Sequence, residues 1–175
     1  MNLLNILKWL FIVPVKQIRR KALTYYIRKS AKQVKGKLVV NGKSKVTNKT
    51  TLGNNVNFNG LRIEGEGEVS IGDNFHSGTE CLFITSFHNY DSGTKIPYDN
   101  TYIHKNIVVE DNVWLGSRIT ILGGVTIGEG AIIQAGSVVV SDIPKFAIAG
   151  GAPAREFKSR NIEHYMSLKE KGMFH

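Results

Sequence analysis

The stretch VWLGSRITILGGVTIGEGAIIQAGSVVVSDIP, Val113 to Pro144, counts in sixes. Leu115, Ile121, Ile127, Ile133 and Val139 share one phase, and Val109 extends it backwards. A second series, Val113, Ile119, Val125, Ala131, Ser137 and Ile143, runs two residues ahead of the first. An amphipathic helix would space its apolar residues by three and four, and a hairpin strand would alternate them by two. A fixed longer period is the mark of a repeat architecture. If the chain turns after every six residues, each short strand sends one or two side chains inward and the rest outward. One such turn cannot bury its apolar face, whereas stacked turns can, each strand pairing with its copies above and below. Gly116 and Gly128 follow their anchors, where a turn needs backbone freedom. Three segments close one triangular coil, so the expected fold is an all-β parallel β-helix.

Upstream the period persists in broken form in LGNNVN (52–57), IEGEGE (63–68) and IGDNFH (71–76). Between the broken and the strict parts lies SFHNYDSGTKIPYDNTYIHKN, residues 86–106, with no period at all. A loop of that length inside a compact fold points to function. The expected organisation is a helical segment over 1–35, a β-helix domain over 36–152 with the loop 86–106 projecting from it, and a tail with a short helix over 153–175.

The net charge of +9 is unevenly spread. Residues 1–50 hold 13 Lys and Arg and no Asp or Glu, while 51–175 hold 10 Lys and Arg against 14 Asp and Glu. The basic character therefore belongs to the N-terminal segment, which suits an anionic partner. The apolar run WLFIVPV (9–15) is too short to span a bilayer, which takes about 20 residues. Its basic residues follow the run, the reverse of a secretory signal. Leu3, Leu4, Leu7, Leu10 and Phe11 would share one helical face, and Ile18, Ala22, Tyr25 and Tyr26 another. Such a segment either lies on an anionic membrane or packs on its own domain or a sister subunit. No nucleic-acid motif is present. A single cysteine, Cys81, excludes an intrachain disulfide and suits the reducing cytosol.

IGDN, VWLGS, GVTIGEGAIIQAGSVVVSDIP and AGGAPAR together resemble the hexapeptide-repeat acyltransferases, nearest to the maltose, galactoside and polysaccharide O-acetyltransferase branch. The resemblance covers about residues 50–160. It implies a left-handed coil, a homotrimer with active sites between subunits, acetyl-CoA as donor, no metal, and a saccharide acceptor. Acetyl transfer to a hydroxyl requires a base, donors for the charge developing on the thioester oxygen, and two substrates held together. His88, at the start of the loop, resembles the family's catalytic histidine in position, and an ordinary imidazole pKa of about 6.5 suits the task. Its second nitrogen needs an acceptor, for which Glu80, Asp91 and backbone carbonyls are candidates. Glu80 stands where relatives often carry Asn near the acceptor, so it could instead touch the sugar. Asn57 and Asn59, one rung earlier, are candidates for acceptor hydroxyls or plain turn residues. Tyr90, Tyr98 and Tyr102 offer flat faces either to a sugar ring or to the coil.

The resemblance further implies that Trp114 flanks the pantetheine arm and that the Ser117 amide faces the thioester oxygen. Ala135 and Gly136 would leave room for pantetheine, and Arg155 with Lys158 would meet the CoA phosphates. Val140-Ser141 replaces the Thr-Lys that relatives often show, so Ser141 takes a position where a phosphate-pairing lysine is absent and Lys145 can compensate. Cys81 reads as a buried thiol. His76 and His104 lack the placement of His88. The nearest alternative function is N-acetylation of an amino-sugar nucleotide. A zinc enzyme of the γ-carbonic-anhydrase type would need three histidines, and His76, His88 and His104 lack its paired spacing. A non-catalytic β-solenoid would need neither His88 nor GGAPAR.

Overall fold

The computed structural model describes residues 13–175. The face read over Leu3, Leu4, Leu7, Leu10 and Phe11 lies outside them. The chain forms a left-handed parallel β-helix with helices at both ends. Its first face stacks Gln33–Val34, Thr50–Leu52, Val69–Ile71, Ile107–Val109 and Thr126–Ile127. Its second stacks Leu38–Val40, Val56–Phe58, His76–Ser77, Trp114–Leu115, Ile132–Ile133 and Ala147–Gly151. Its third stacks Leu61–Glu64, Cys81–Ile84, Thr120–Leu122 and Val138–Val139.

The six-residue count is visible in the register. Val109 pairs with Ile127, Leu115 with Ile133 and Ile121 with Val139, so each strand meets its copy three sixes further along the chain. Both phases of the period point inward. Leu115, Ile121, Ile127, Ile133 and Val139 are fully buried, and Val113, Ile119, Val125, Ala131, Ser137 and Ile143 are at most 4% exposed. Aromatic rings fill the early turns, with Phe58 and Phe75 edge to face at 6.0 Å.

The corner between the first and second faces requires the left-handed backbone region, which Asn tolerates better than most residues. Asn55, Asn74 and Asn112 occupy it at φ 57°, 54° and 60°. Their amides form a ladder: Asn55 Nδ2 donates to Asn74 Oδ1 (3.0 Å) and Asn74 Nδ2 to Asn112 Oδ1 (2.9 Å). The ladder ends on the C-terminal helix α2 (Ile162–Glu170; the N-terminal helix, α1, spans Val13–Ser30), where Asn112 Nδ2 donates to the Tyr165 hydroxyl at 2.7 Å. Tyr165 in turn donates to Glu129 Oε1 (3.0 Å), which also takes the Lys169 ammonium. Burial and the adjacent carboxylate push the Tyr165 phenol up to about 12. Burial acts to raise Glu129 as well, but Lys169 and Tyr165 outweigh it and hold that carboxyl below its usual range.

One expectation needs correction. α1 stops at Ser30, and Gln33–Val34 already pairs with Thr51–Leu52, so the last residues read as helix are coil strand instead. Backbone bonds from Lys32 N to Thr50 O and from Lys35 N to Leu52 O fix that change. The face of α1 that packs is also not the one with the tyrosines. Ile27 is fully buried, Leu23 and Ala31 pack beside it, and Thr24 Oγ1 accepts from Val40 N at 3.0 Å. This face closes the open end of the coil, whose first turn would otherwise expose its interior. Val15, Ile18, Tyr25 and Tyr26 are left 55–67% exposed, Tyr25 at the edge of a cleft between α1 and the second face. At the other end, Ala154–Ser159 folds back antiparallel on Ala147–Gly151 and carries the last strand pair to Ser159.

Candidate active site

Ile71 pairs with Val109 and not with a residue three sixes further along, so extra chain is inserted into this one turn. The insertion is a hairpin rather than an irregular loop: Ser86–His88 runs antiparallel to Tyr102–His104, with His88 opposite Tyr102. Asp99 ties its tip, accepting from the amides of Thr94 and Thr101 (2.7 and 2.8 Å) and from both hydroxyls. The Thr101 hydroxyl and these amides hold the Asp99 carboxyl far below the carboxylate range.

His88 lies half-buried in this hairpin. Its imidazole stacks on Tyr98 at 3.7 Å between centroids and leans on Tyr102 at 4.5 Å. Two of the three tyrosines therefore pack on the histidine, and Tyr90 remains 70% exposed. His88 Nδ1 is buried without a partner among the described residues. Neither expected carboxylate supplies one. Asp91 is exposed, and Glu80 is engaged by Arg118 at 2.7 Å. Glu80 also stands at the far end of the third face, with the whole strand Cys81–Ile84 between it and the hairpin.

The expected donor-binding residues collect at the corner between the second and third faces. Trp114 projects outward from the second face, 54% exposed, in the column Asn57, His76, Trp114, Ile132. The Ser117 and Ala135 amides donate no hydrogen bond among the described residues. Rungs pack tightly here, because a Cβ on Gly116 would lie 2.6 Å from Ala135 N. Beside Ala135 the space opens: Gly136, at φ +77°, has nothing within 4 Å of where a Cβ would sit. Arg155 and Lys158 are exposed on the terminal antiparallel strand, opposite Gly150 and Ile148 of the second face. Asn59 and Glu80 share a groove of about 530 Å³ below this corner with Lys43, Arg62 and Thr79. Ser141 does not join them. It is exposed beyond Val138–Val139, at the opposite end of the third face.

One chain thus holds two separated half-sites: an open corner with unbonded amides, and a histidine with an unsatisfied nitrogen a full face away. His76 stands apart from both His88 and His104. It stacks on His175 at 5.1 Å, its Nε2 is 3.3 Å from Asn57 Nδ2, and burial, His175 and Lys37 hold its pKa down. Cys81 is buried, its thiol donating to Gly116 O at 3.3 Å and raised in pKa by that burial. The asparagine ladder and the basic cleft beside α1 were not singled out from the sequence. The recurrence of Asn at the end of GNN, GDN and EDN was the available signal for the ladder.

Residues 106–141 match the bacterial transferase hexapeptide family (six repeats). A galactoside O-acetyltransferase of Escherichia coli is 34% identical over 111 residues, 62% of this chain and 53% of that protein. The chain spans about half the length of the curated relatives it matches. Among solved structures, a hexapeptide-repeat acetyltransferase from Vibrio cholerae complexed with acetyl coenzyme A superposes with a TM-score of 0.68 at 29% identity, covering 84% of this chain and 81% of the other. A galactoside acetyltransferase in complex with coenzyme A gives 0.66 at 26% identity, covering 87% and 84%.

Proposed function

We propose that this chain, which carries bacterial transferase hexapeptide repeats on the β-helix of the hexapeptide acetyltransferases, is an acyltransferase that moves an acetyl group from acetyl-CoA to a saccharide hydroxyl. The observation that carries this reading is the open corner, where unbonded amides, an exposed indole and two cations line one edge of the coil. Pantetheine lies along Ala135 and Gly136 beside Trp114, and the phosphates meet Arg155 and Lys158. The Ser117 N–H faces the thioester oxygen, where a preorganised donor stabilises developing charge. Asn59 and Glu80 bind acceptor hydroxyls, and Tyr90 and Asp91 border the acceptor from the hairpin.

His88 is the base. As the acceptor oxygen forms its bond to the thioester carbon, His88 takes the hydroxyl proton. The C–S bond then breaks, and the proton passes to the departing CoA thiolate. Base and donor corner lie a face apart in one chain, so the hairpin of one copy serves the corner of the next. The reading therefore includes a homotrimer with its sites between subunits.

A thermal-shift titration with acetyl-CoA tests the donor. Ligand at 100 times its Kd stabilises by about 2.7 kcal/mol, and Arg155→Ala/Lys158→Ala is expected to need far more ligand for the same shift. No shift at millimolar acetyl-CoA would sink the assignment.

The enzyme also meets the membrane peripherally through its N-terminal segment. Val15, Ile18 and Tyr26 are exposed on α1, which carries six Lys and Arg and no acid. No helix among the described residues is long and apolar enough to cross a membrane. Each cation near an anionic surface adds about 1 kcal/mol, so the full chain is expected to sediment with anionic vesicles and to be released by Ile18→Glu/Tyr26→Glu. Equal recovery in the supernatant with anionic and zwitterionic vesicles would refute the contact.

A further inference from the structure

Between α1 and the start of the second face runs a cleft of about 720 Å³ lined by Arg20, Lys21, Arg28, Lys37, Asn41 and Asn57, among others. No acidic residue lines it, and none occurs in the first 50 residues. None of its four cations forms a salt bridge among the described residues. By contrast, Lys32, Lys49, Arg62, Lys145 and Lys169 are each paired to a glutamate. Concentrating unpaired cations costs free energy through mutual repulsion, which an anion in the cleft would relieve. The walls are also prepared for oxygen ligands. Arg28 is anchored through Nη2 to Gly36 O at 2.8 Å. A guanidinium carries five N–H donors, so the others remain for a ligand. Thr24 accepts from Val40 N, which leaves its hydroxyl proton free to donate.

The cleft opens towards the acceptor residues. Asn41 Nδ2 donates to Asn59 Oδ1 at 3.0 Å, so a cleft wall is bonded directly to a proposed acceptor residue. From the rung of Asn41 to the rung of Ser117 is three strand spacings, about 14 Å. That distance accommodates a sugar ring at Asn59 and Glu80 followed by a phosphate.

We infer that the cleft between α1 and the second face binds a phosphate or diphosphate group borne by the acceptor. The inference rests on the saccharide-acetyltransferase reading and narrows its substrate to a phosphorylated saccharide. The diphosphate could belong to a lipid carrier or to a nucleotide, and the chemistry recognised is the same.

The test uses inorganic pyrophosphate and calorimetric titration of the full chain, with CoA saturating so that its own phosphate site is filled. Saturable binding is expected, weakened about tenfold by Lys37→Gln, as the loss of one charge-assisted hydrogen bond implies. Arg20→Gln/Lys37→Gln should weaken it further, and Lys49→Gln, outside the cleft, should leave it unchanged. Displacement by a nucleoside diphosphate assigns a nucleotide-linked acceptor, and displacement only by a lipid diphosphate in micelles assigns a lipid-linked one. In turnover, the Lys37 variant should raise KM for a diphosphate-linked saccharide and not for the free sugar. Absence of pyrophosphate binding at millimolar concentration, or equal binding by all variants, overturns the inference. The acetyl-CoA thermal shift is read on the same preparations, so failure of the donor assignment is seen separately.

Discussion

His88→Ala is expected to lower kcat by about 10²–10⁴-fold, the usual contribution of a positioned general base, while leaving the acetyl-CoA thermal shift intact. On the proposed reading the base does not hold the donor, which lies a face away, so binding and turnover should separate cleanly. The geometry allows a sharper form of the test. On the proposed reading, His88 and the Ser117 corner occupy different edges of the coil, so one active site would draw on two copies of the chain. Inactive His88→Ala mixed with inactive Arg155→Ala/Lys158→Ala should therefore regain activity once subunits exchange, through sites that receive an intact hairpin and an intact corner. Activity retained by His88→Ala would remove the histidine from the chemistry. Loss of the acetyl-CoA shift in the same variant would make its role structural. Failure of the mixture to regain activity would argue that each site belongs to one chain.

The coil was legible in the sequence because a solenoid writes its packing as a period: every sixth residue from Val109 to Val139 had to be apolar and all are buried. What the period could not convey is which residues meet across corners. Glu80 and His88 are close in sequence, which suggests proximity, yet a complete strand separates them and Arg118 takes the carboxylate. The hairpin carries no period because its two strands pair only with each other, and its tip is held by side chains, Asp99 and Asn89. Within α1 the sequence showed the face of Ile18, Ala22, Tyr25 and Tyr26, and nothing in a 3.6-residue pattern says which face meets the coil. The side chains that fit the open first turn, Leu23 and Ile27, decided that. The junction of Tyr165 with Asn112 spans 53 residues of chain and leaves no local trace.

Phe83→Ala is expected to cost about 3–5 kcal/mol of unfolding free energy, the range for deleting a buried aromatic ring. Phe83 is fully buried in the third-face column, with Ile63 on one neighbouring strand and Ile121 on the other. In a solenoid each turn is stabilised only by its neighbours, so the void weakens two interfaces and no distant contact compensates. The hairpin that bears His88 starts at Ser86, just beyond this strand, so the damaged turn is also the one that anchors that hairpin. Unfolding in urea at fixed protein concentration measures the effect, with Phe157→Ala as the comparison. Phe157 is 61% exposed. Surface replacements of this kind usually stay within about 0.5 kcal/mol. If the two variants lose the same stability, the interior is not the continuous apolar column that the register describes. If Phe83→Ala loses several kcal/mol and the CoA corner still binds acetyl-CoA below the transition, the coil has weakened at the turn that lost its ring while the turns beyond it hold.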